Sequence, residues 1–86
     1  MKIRVKLNKE SDIRIGSRIV IEAMLGDQWS SAAGGVPPKY IKFPYVGTVT
    51  NKVYHSSPAS KYSHWAITVD KQYGFDVRYI KYKIIG

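Results

Sequence analysis

From Lys2 to Leu7 the chain alternates strictly, with Ile3, Val5 and Leu7 on one parity and Lys2, Arg4 and Lys6 on the other. A period of two is the geometry of an extended chain, whose successive side chains leave opposite faces. The segment therefore predicts a half-buried strand with a basic outer face. Polar residues from Asn8 to Asp12 predict a turn, and Ile13 to Ser17 leads into a second strand from Arg18 to Leu25, apolar on both faces at Ile19-Val20-Ile21. Gly26 to Pro44 breaks the alternation with Gly26, Gly34, Gly35, Pro37, Pro38 and Pro44. Glycine frees the backbone and proline fixes it outside a ladder, so this is one long Gly/Pro-containing loop.

A third strand runs from Tyr45 to Tyr54, with Gly47 marking a bulge or a close backbone approach near its start. The serines and proline of residues 56–60 make a second connection. His64 to Val69 is a fourth strand, with Trp65, Ile67 and Val69 facing one way and His64, Ala66 and Thr68 the other. Residues 70–74 form a turn. Phe75 to Ile85 is a fifth strand whose apolar parity switches: Phe75, Val77 and Tyr79 share one phase, Ile80, Tyr82 and Ile84 the other. A bulge or short turn near Tyr79 reconciles the two halves. No stretch carries helical periodicity. Five short strands in 86 residues predict an all-β chain closed or partly closed into a small barrel, because closure removes the open edges that so small a sheet would otherwise expose.

At 86 residues, with 44% hydrophobic and 13% aromatic positions, the chain predicts a single domain over residues 1–86 with one core. Cysteine is absent, which removes disulfides, thiolate zinc sites and a cysteine nucleophile together and fits a reducing compartment. No apolar run approaches the roughly 20 residues needed to span a bilayer, and Met1 to Lys6 lacks the apolar centre of a secretory signal. The expectation is a cytoplasmic protein with no membrane association. Fourteen Lys and Arg against six Asp and Glu give a net charge of +8. Such an excess favours a polyanionic partner, nucleic acid first.

The run Ile13-Arg14-Ile15-Gly16-Ser17-Arg18-Ile19-Val20-Ile21, followed by Tyr45-Val46-Gly47-Thr48-Val49, resembles the KOW-type SH3-like small β-barrel. In that family a glycine and a small polar residue precede one apolar strand, and a second glycine precedes another. Gly16 would stand at the turn before the first strand of the shared motif and Gly47 inside the next. The segment from Gly35 to Tyr40 is similar to the glycine-proline-aromatic approach of a ribosomal branch of the fold. The resemblance implies a five-stranded SH3-like barrel acting as a nucleic-acid or polymerase-binding module.

Within the long loop, basic and aromatic residues interleave: Lys39, Tyr40, Lys42 and Phe43, with Trp29 upstream. A cation neutralises phosphate and a neighbouring ring offers a stacking platform to an unpaired base, so this order suits single-stranded nucleic acid or a distorted duplex. The plainer role for Tyr40, Phe43 and Tyr45 is to plug one end of the barrel. A second basic surface comes from Lys2, Arg4 and Lys6 together with Arg78, Lys81 and Lys83, which form one stripe if the first and last strands pair. The plainer role for these lysines is to guard an exposed edge.

His55 and His64, nine apart and without cysteine, make a poor metal set. Ser56, Ser57, Ser60 and Ser63 lie beside them, but no glycine-flanked elbow and no orienting carboxylate accompanies these serines. Glu10, Asp12, Glu22 and Asp27 have no spacing that argues a paired acid and base. Neither a phosphate-cradling loop nor a dinucleotide fingerprint occurs. No catalysis, metal or cofactor is expected. The sequence thus favours a small basic barrel that binds DNA or RNA, phosphate-driven, with aromatic stacking and little sequence specificity, as a monomer or weak dimer. Its phosphate contacts would come from Arg4, Lys6, Lys39, Lys42, Arg78 and Lys81, and its stacking from Trp29, Tyr40 and Phe43. The alternative is a phage-type protein-interaction module that docks on a host enzyme, a polymerase or another nucleoprotein complex.

Overall fold

The computed structural model describes residues 10–86. The expected strand from Lys2 to Leu7, and with it Arg4 and Lys6, lies outside the described residues. Five strands follow: β1 (Arg18–Met24), β2 (Tyr45–His55), β3 (His64–Val69), β4 (Tyr73–Asp76) and β5 (Ile80–Ile84). Single 3-10 turns occupy Glu10–Asp12, Ser60–Tyr62 and Val77–Tyr79. All strand pairs are antiparallel, in the order β4-β3-β2-β1-β5.

The eleven-residue β2 holds the sheet together. Tyr45 to Thr48 pair with Ile21 to Arg18 of β1, whereas Val49 to His55 pair with Val69 to His64 of β3. Between these ladders the register steps from Val49–Val69 to Asn51–Thr68, which makes Thr50 the extra residue of a bulge. A bulge bends its strand and increases its twist. Thr50 is fixed there by two bonds of its hydroxyl, which donates to the Thr68 carbonyl at 3.1 Å and accepts from the Lys71 N–H at 2.8 Å. The core gathers inward-facing residues of both ladders: Ile19 and Ile21 of β1, Val49 of β2, Ile67 and Val69 of β3, Phe75 of β4 and Ile80 of β5, with Ile13 from the preceding turn.

The switch of apolar parity in the last segment is a turn. Asp76 caps Val77–Tyr79 by accepting the Arg78 N–H at 3.0 Å, and β5 departs from Ile80 in the new phase. That turn carries β5 away from β4 to the far side of β1. No ladder joins β4 to β5, so the hydrogen-bonded order is an open five-stranded sheet; of the closed or partly closed barrel the sequence predicts, closure is not found. Part of the β4 edge is covered by the long loop, where Val36 bridges in parallel to Tyr73, its N–H on Gln72 O at 2.7 Å and its carbonyl on Gly74 N at 2.9 Å. This approach explains two glycines. A methyl at Gly35 would overlap the backbone of Gly74, and one at Gly74 would overlap the carbonyl of Ser30.

Gly16 has φ of 97° in the turn that Ser17 N–H closes onto Arg14 O at 2.9 Å, a conformation in which a side chain is strained. Gly47 is a close approach: a Cβ there would press on Val69 and Asp70. The β3–β4 connection is the three residues Asp70 to Gln72, and it puts Asp70 and Lys71 at φ of 56° and 57° in a turn that the Gln72 N–H closes on the Val69 carbonyl at 3.0 Å. Asp70 offsets that local cost with long-range bonds, accepting the Thr48 N–H at 2.9 Å and the Tyr45 hydroxyl. Among the described residues no helix is long and apolar enough to cross a membrane.

Candidate functional site

The loop between β1 and β2 is anchored at its middle and open at its lip. Ala33 is buried, and its carbonyl accepts from Asn51 Nδ2 at 3.0 Å and from the Thr68 hydroxyl at 2.7 Å. Ser30 is buried too, with its Oγ 2.7 Å from His64 Nε2 on β3. These ties fix the loop while leaving Trp29 38% exposed and Tyr40 96% exposed.

A groove of about 430 Å³ opens along the loop, lined by Trp29, Pro37, Pro38, Lys39, Ile41 and Phe43 together with Met24, Gly26 and Asp27. A second groove of about 410 Å³ is lined by Trp29, Ser30, Ser31, Ala32, His55 and His64. A third, of about 440 Å³, is lined by Tyr54, Ser63, His64, Trp65, Arg78 and Tyr82, with Glu10 and Val77. Trp29 is common to the first two grooves and His64 to the last two. Through these shared residues the three grooves form a series, called the track below.

The β2–β3 ladder sets the middle and far parts of this track. His55 lies directly opposite His64 and Tyr54 opposite Trp65. The imidazole centroids are 5.2 Å apart, and Tyr54 meets Trp65 edge-on at 5.1 Å. Lys52 lies over Trp65, its Nζ 4.6 Å from the ring centre. The same ammonium donates to the carbonyls of Glu10 and Ile13 at 2.6 and 2.8 Å, which fastens the segment before β1 onto β2. Burial and the nearby carboxylates of Glu10 and Asp12 push the Tyr82 phenol above its ordinary range.

Of the residues the sequence singled out, Trp29, Lys39 and Phe43 share the first groove. Tyr40 and Lys42 flank it in sequence and point to solvent. Phe43 and Tyr45 also pack against the core, so part of the plugging role holds for them, and Tyr40 takes none of it. Arg78 reaches the third groove but is bound to a carboxylate. Its Nε and NH2 donate to Asp76 at 3.2 and 2.8 Å, and its NH1 donates to Lys61 O at 2.7 Å. The bond to Asp76 raises its pKa further. Lys81 and Lys83 both face Glu22, at 3.7 and 3.2 Å. Glu22 is the extra residue of a second bulge, between the Ile21–Tyr82 and Ala23–Lys81 pairs, which turns its carboxylate toward β5. The last-strand half of the expected stripe is therefore partly offset, two carboxylates against three cations. No such carboxylate engages Lys39 or Lys42 among the described residues.

Sequence reasoning missed Asp27, Tyr54, His55, His64 and Trp65 as groove-lining residues. Only the strand register could have revealed the last four, since it sets them side by side across β2 and β3. Ser30 and His64 deserve a chemical test, because a serine on an imidazole is the geometry of a nucleophile and its base. His64 Nδ1 lies 2.8 Å from the Tyr62 carbonyl, which can only accept, so this nitrogen carries a proton, and Nε2 is left to the Ser30 hydroxyl. Asp76 is 4.0 Å from Nδ1 and is engaged instead by Arg78. Ser30 Oγ also accepts the Ala32 N–H at 3.2 Å. Every polar atom is thus bonded in a way that ties the loop to β3, and the cluster is an anchor. Among the described residues no group of three or more His, Asp or Glu gathers as a metal set. No family model, curated protein or solved structure matches the chain.

Proposed function

We propose that the protein binds single-stranded nucleic acid along the track that begins at the Lys39 groove and runs past Trp29 and His64 to Trp65. The observation that carries this reading is the double membership of Trp29, which places one half-exposed ring between a groove edged by Lys39 and a groove walled by two histidines. A polymer of alternating flat bases and anionic linkers needs such a series of rings with cations beside them. Lys39 and Lys42 take phosphates, Trp29 and Phe43 stack bases, and Tyr40 is free to close on a strand from the lip. Arg78 and Lys81 contribute less, because Asp76 and Glu22 already face them. Arg4 and Lys6 enter on charge alone. The antiparallel strand order and the bend of β2 support an SH3-like arrangement in which the Val77–Tyr79 turn links the two edge strands β4 and β5. Discrimination among duplex sequences is weak on this reading, as the described residues include no α-helix to enter a major groove.

The test is an affinity series over salt concentration with single- and double-stranded DNA and RNA. The expected result is a preference for single strands and a linear fall of log affinity with log salt, about −0.7 per phosphate contact. Equal affinity at low and high salt overturns it. A second reading, docking on a protein, is favoured by the exposure of Leu25 and Tyr40 at the two ends of the same loop. A partner retained after nuclease treatment, with no oligonucleotide binding, selects that reading.

A further inference from the structure

We infer that Asp27 makes the loop groove select guanine among unpaired bases. This rests on the nucleic-acid reading above and deepens it. Asp27 lines the same groove as Trp29, Lys39 and Phe43. It is exposed, and no hydrogen bond or ion pair engages it among the described residues. A free carboxylate repels phosphate and Lys39 attracts it, so the strand's backbone is drawn to Lys39 and a base enters the groove that Trp29, Phe43 and Asp27 line. Stacking on Trp29 and Phe43 accepts any base, because every base has a π-face. The carboxylate does not.

An ionised carboxylate is an acceptor only, with two parallel oxygens. Guanine alone presents two adjacent donors on its Watson–Crick edge, the ring N1–H and the exocyclic N2 amino group. Adenine and cytosine set an amino group beside a ring nitrogen lone pair, which opposes the second oxygen. Uracil and thymine place one N–H between two carbonyls. Only guanine therefore forms two parallel charge-assisted bonds to Asp27, and such matched pairs discriminate strongly when a wrong base leaves an oxygen facing a lone pair. Hypoxanthine, which lacks the amino group, retains one of the two bonds.

The experiment measures fluorescence anisotropy of labelled octauridylate and of the same octamer with one central guanosine, inosine, adenosine or cytidine, on the wild-type chain and on Asp27→Asn. The expected order is guanosine, then inosine, then the rest, with guanosine about tenfold tighter than uridine. Asp27→Asn removes the preference and leaves octauridylate bound at least as well, since a repelling charge has gone. The inosine comparison is made on the wild-type protein and does not depend on the folding of the variant. Equal binding of all five octamers overturns the assignment of Asp27 while leaving the nucleic-acid reading intact. So does a guanosine preference that survives in Asp27→Asn. If no octamer binds, both the assignment and the reading beneath it fail.

Discussion

Ser30 Oγ lies 2.7 Å from His64 Nε2 across 34 positions of sequence, and this bond joins the middle of the long loop to the first residue of β3. The hydroxyl also takes the Ala32 N–H, so its removal leaves two polar partners short of a bond. Ser30→Ala is expected to cost about 1–2 kcal/mol, read as a lower urea midpoint with an unchanged slope. Amide exchange should quicken at Ala32 and Gly34 and not at Ile67 or Val69, since the loop loosens while the core ladder stays paired. Uniform quickening would show that the bond supports the whole sheet.

The Tyr45 phenol donates to Asp70, and chiefly that bond pushes its pKa from 10.0 up to about 12, with burial adding to it. A raised pKa means that the folded state favours the protonated phenol. The associated stability is fully present below pH 10 and is lost as pH rises from 10 toward 12. Alkaline absorbance titration should show a late-titrating tyrosine among the seven, and Asp70→Asn should bring it back toward the ordinary range. The difference between the two titrations isolates Tyr45 from Tyr82, which is also shifted upward. Identical curves would place the shift outside the Asp70 bond.

Alternation made the strands legible, and contact order hid what joins them. The expected strand at His64 to Val69 matches β3 in both bounds, and Arg18 to Leu25 and Tyr45 to Tyr54 each differ from β1 and β2 by one residue. The last segment carried its own correction, because Val77 and Ile80 can both face the core only if a turn intervenes, and Val77–Tyr79 is that turn. Tyr73 and Gly74 read as turn and belong to β4, since the connection is only the three residues Asp70 to Gln72, tighter than its composition suggests. The site was legible only where chemistry was local. Lys39 and Phe43 are neighbours in sequence and share a groove. Trp29 joins them only because the loop folds back, and the partial offset of Lys81 and Lys83 depends on a bulge at Glu22 that no single-strand pattern encodes.

Asp76 is 5% exposed at its side chain and accepts three bonds from Arg78, one from its backbone and two from its guanidinium. The same guanidinium reaches the Lys61 carbonyl, so the pair clamps the Ser60–Tyr62 turn onto the Val77–Tyr79 turn. Asp76→Ala should destabilise by about 2–3 kcal/mol, the range for charged hydrogen bonds lost in a buried setting. Arg78→Ala should also destabilise, because it strands a buried carboxylate. The double variant should lose less than the sum of the two, which a double-mutant cycle in urea measures. Strict additivity would mean that the two side chains act independently.

Two pairs of lysines, equal in charge and unequal in surroundings, separate the loop from the last strand as the phosphate-binding surface. Lys39 and Lys42 face solvent without a carboxylate, whereas Lys81 and Lys83 face Glu22. An ammonium whose charge is partly offset by a nearby carboxylate has fewer counterions to release, so it adds less to a salt-dependent affinity. Lys39→Glu with Lys42→Glu should therefore weaken single-strand binding by at least about tenfold and flatten the salt slope by about 1.4. Lys81→Ala with Lys83→Ala should change affinity by less than about twofold. Glu22→Gln supplies the converse: it frees both β5 lysines, and any gain in affinity should come with a steeper slope. Circular dichroism on each variant confirms an intact sheet. If the β5 pair instead abolishes binding while the loop pair is silent, the strand runs along β5 and the aromatic track has another use.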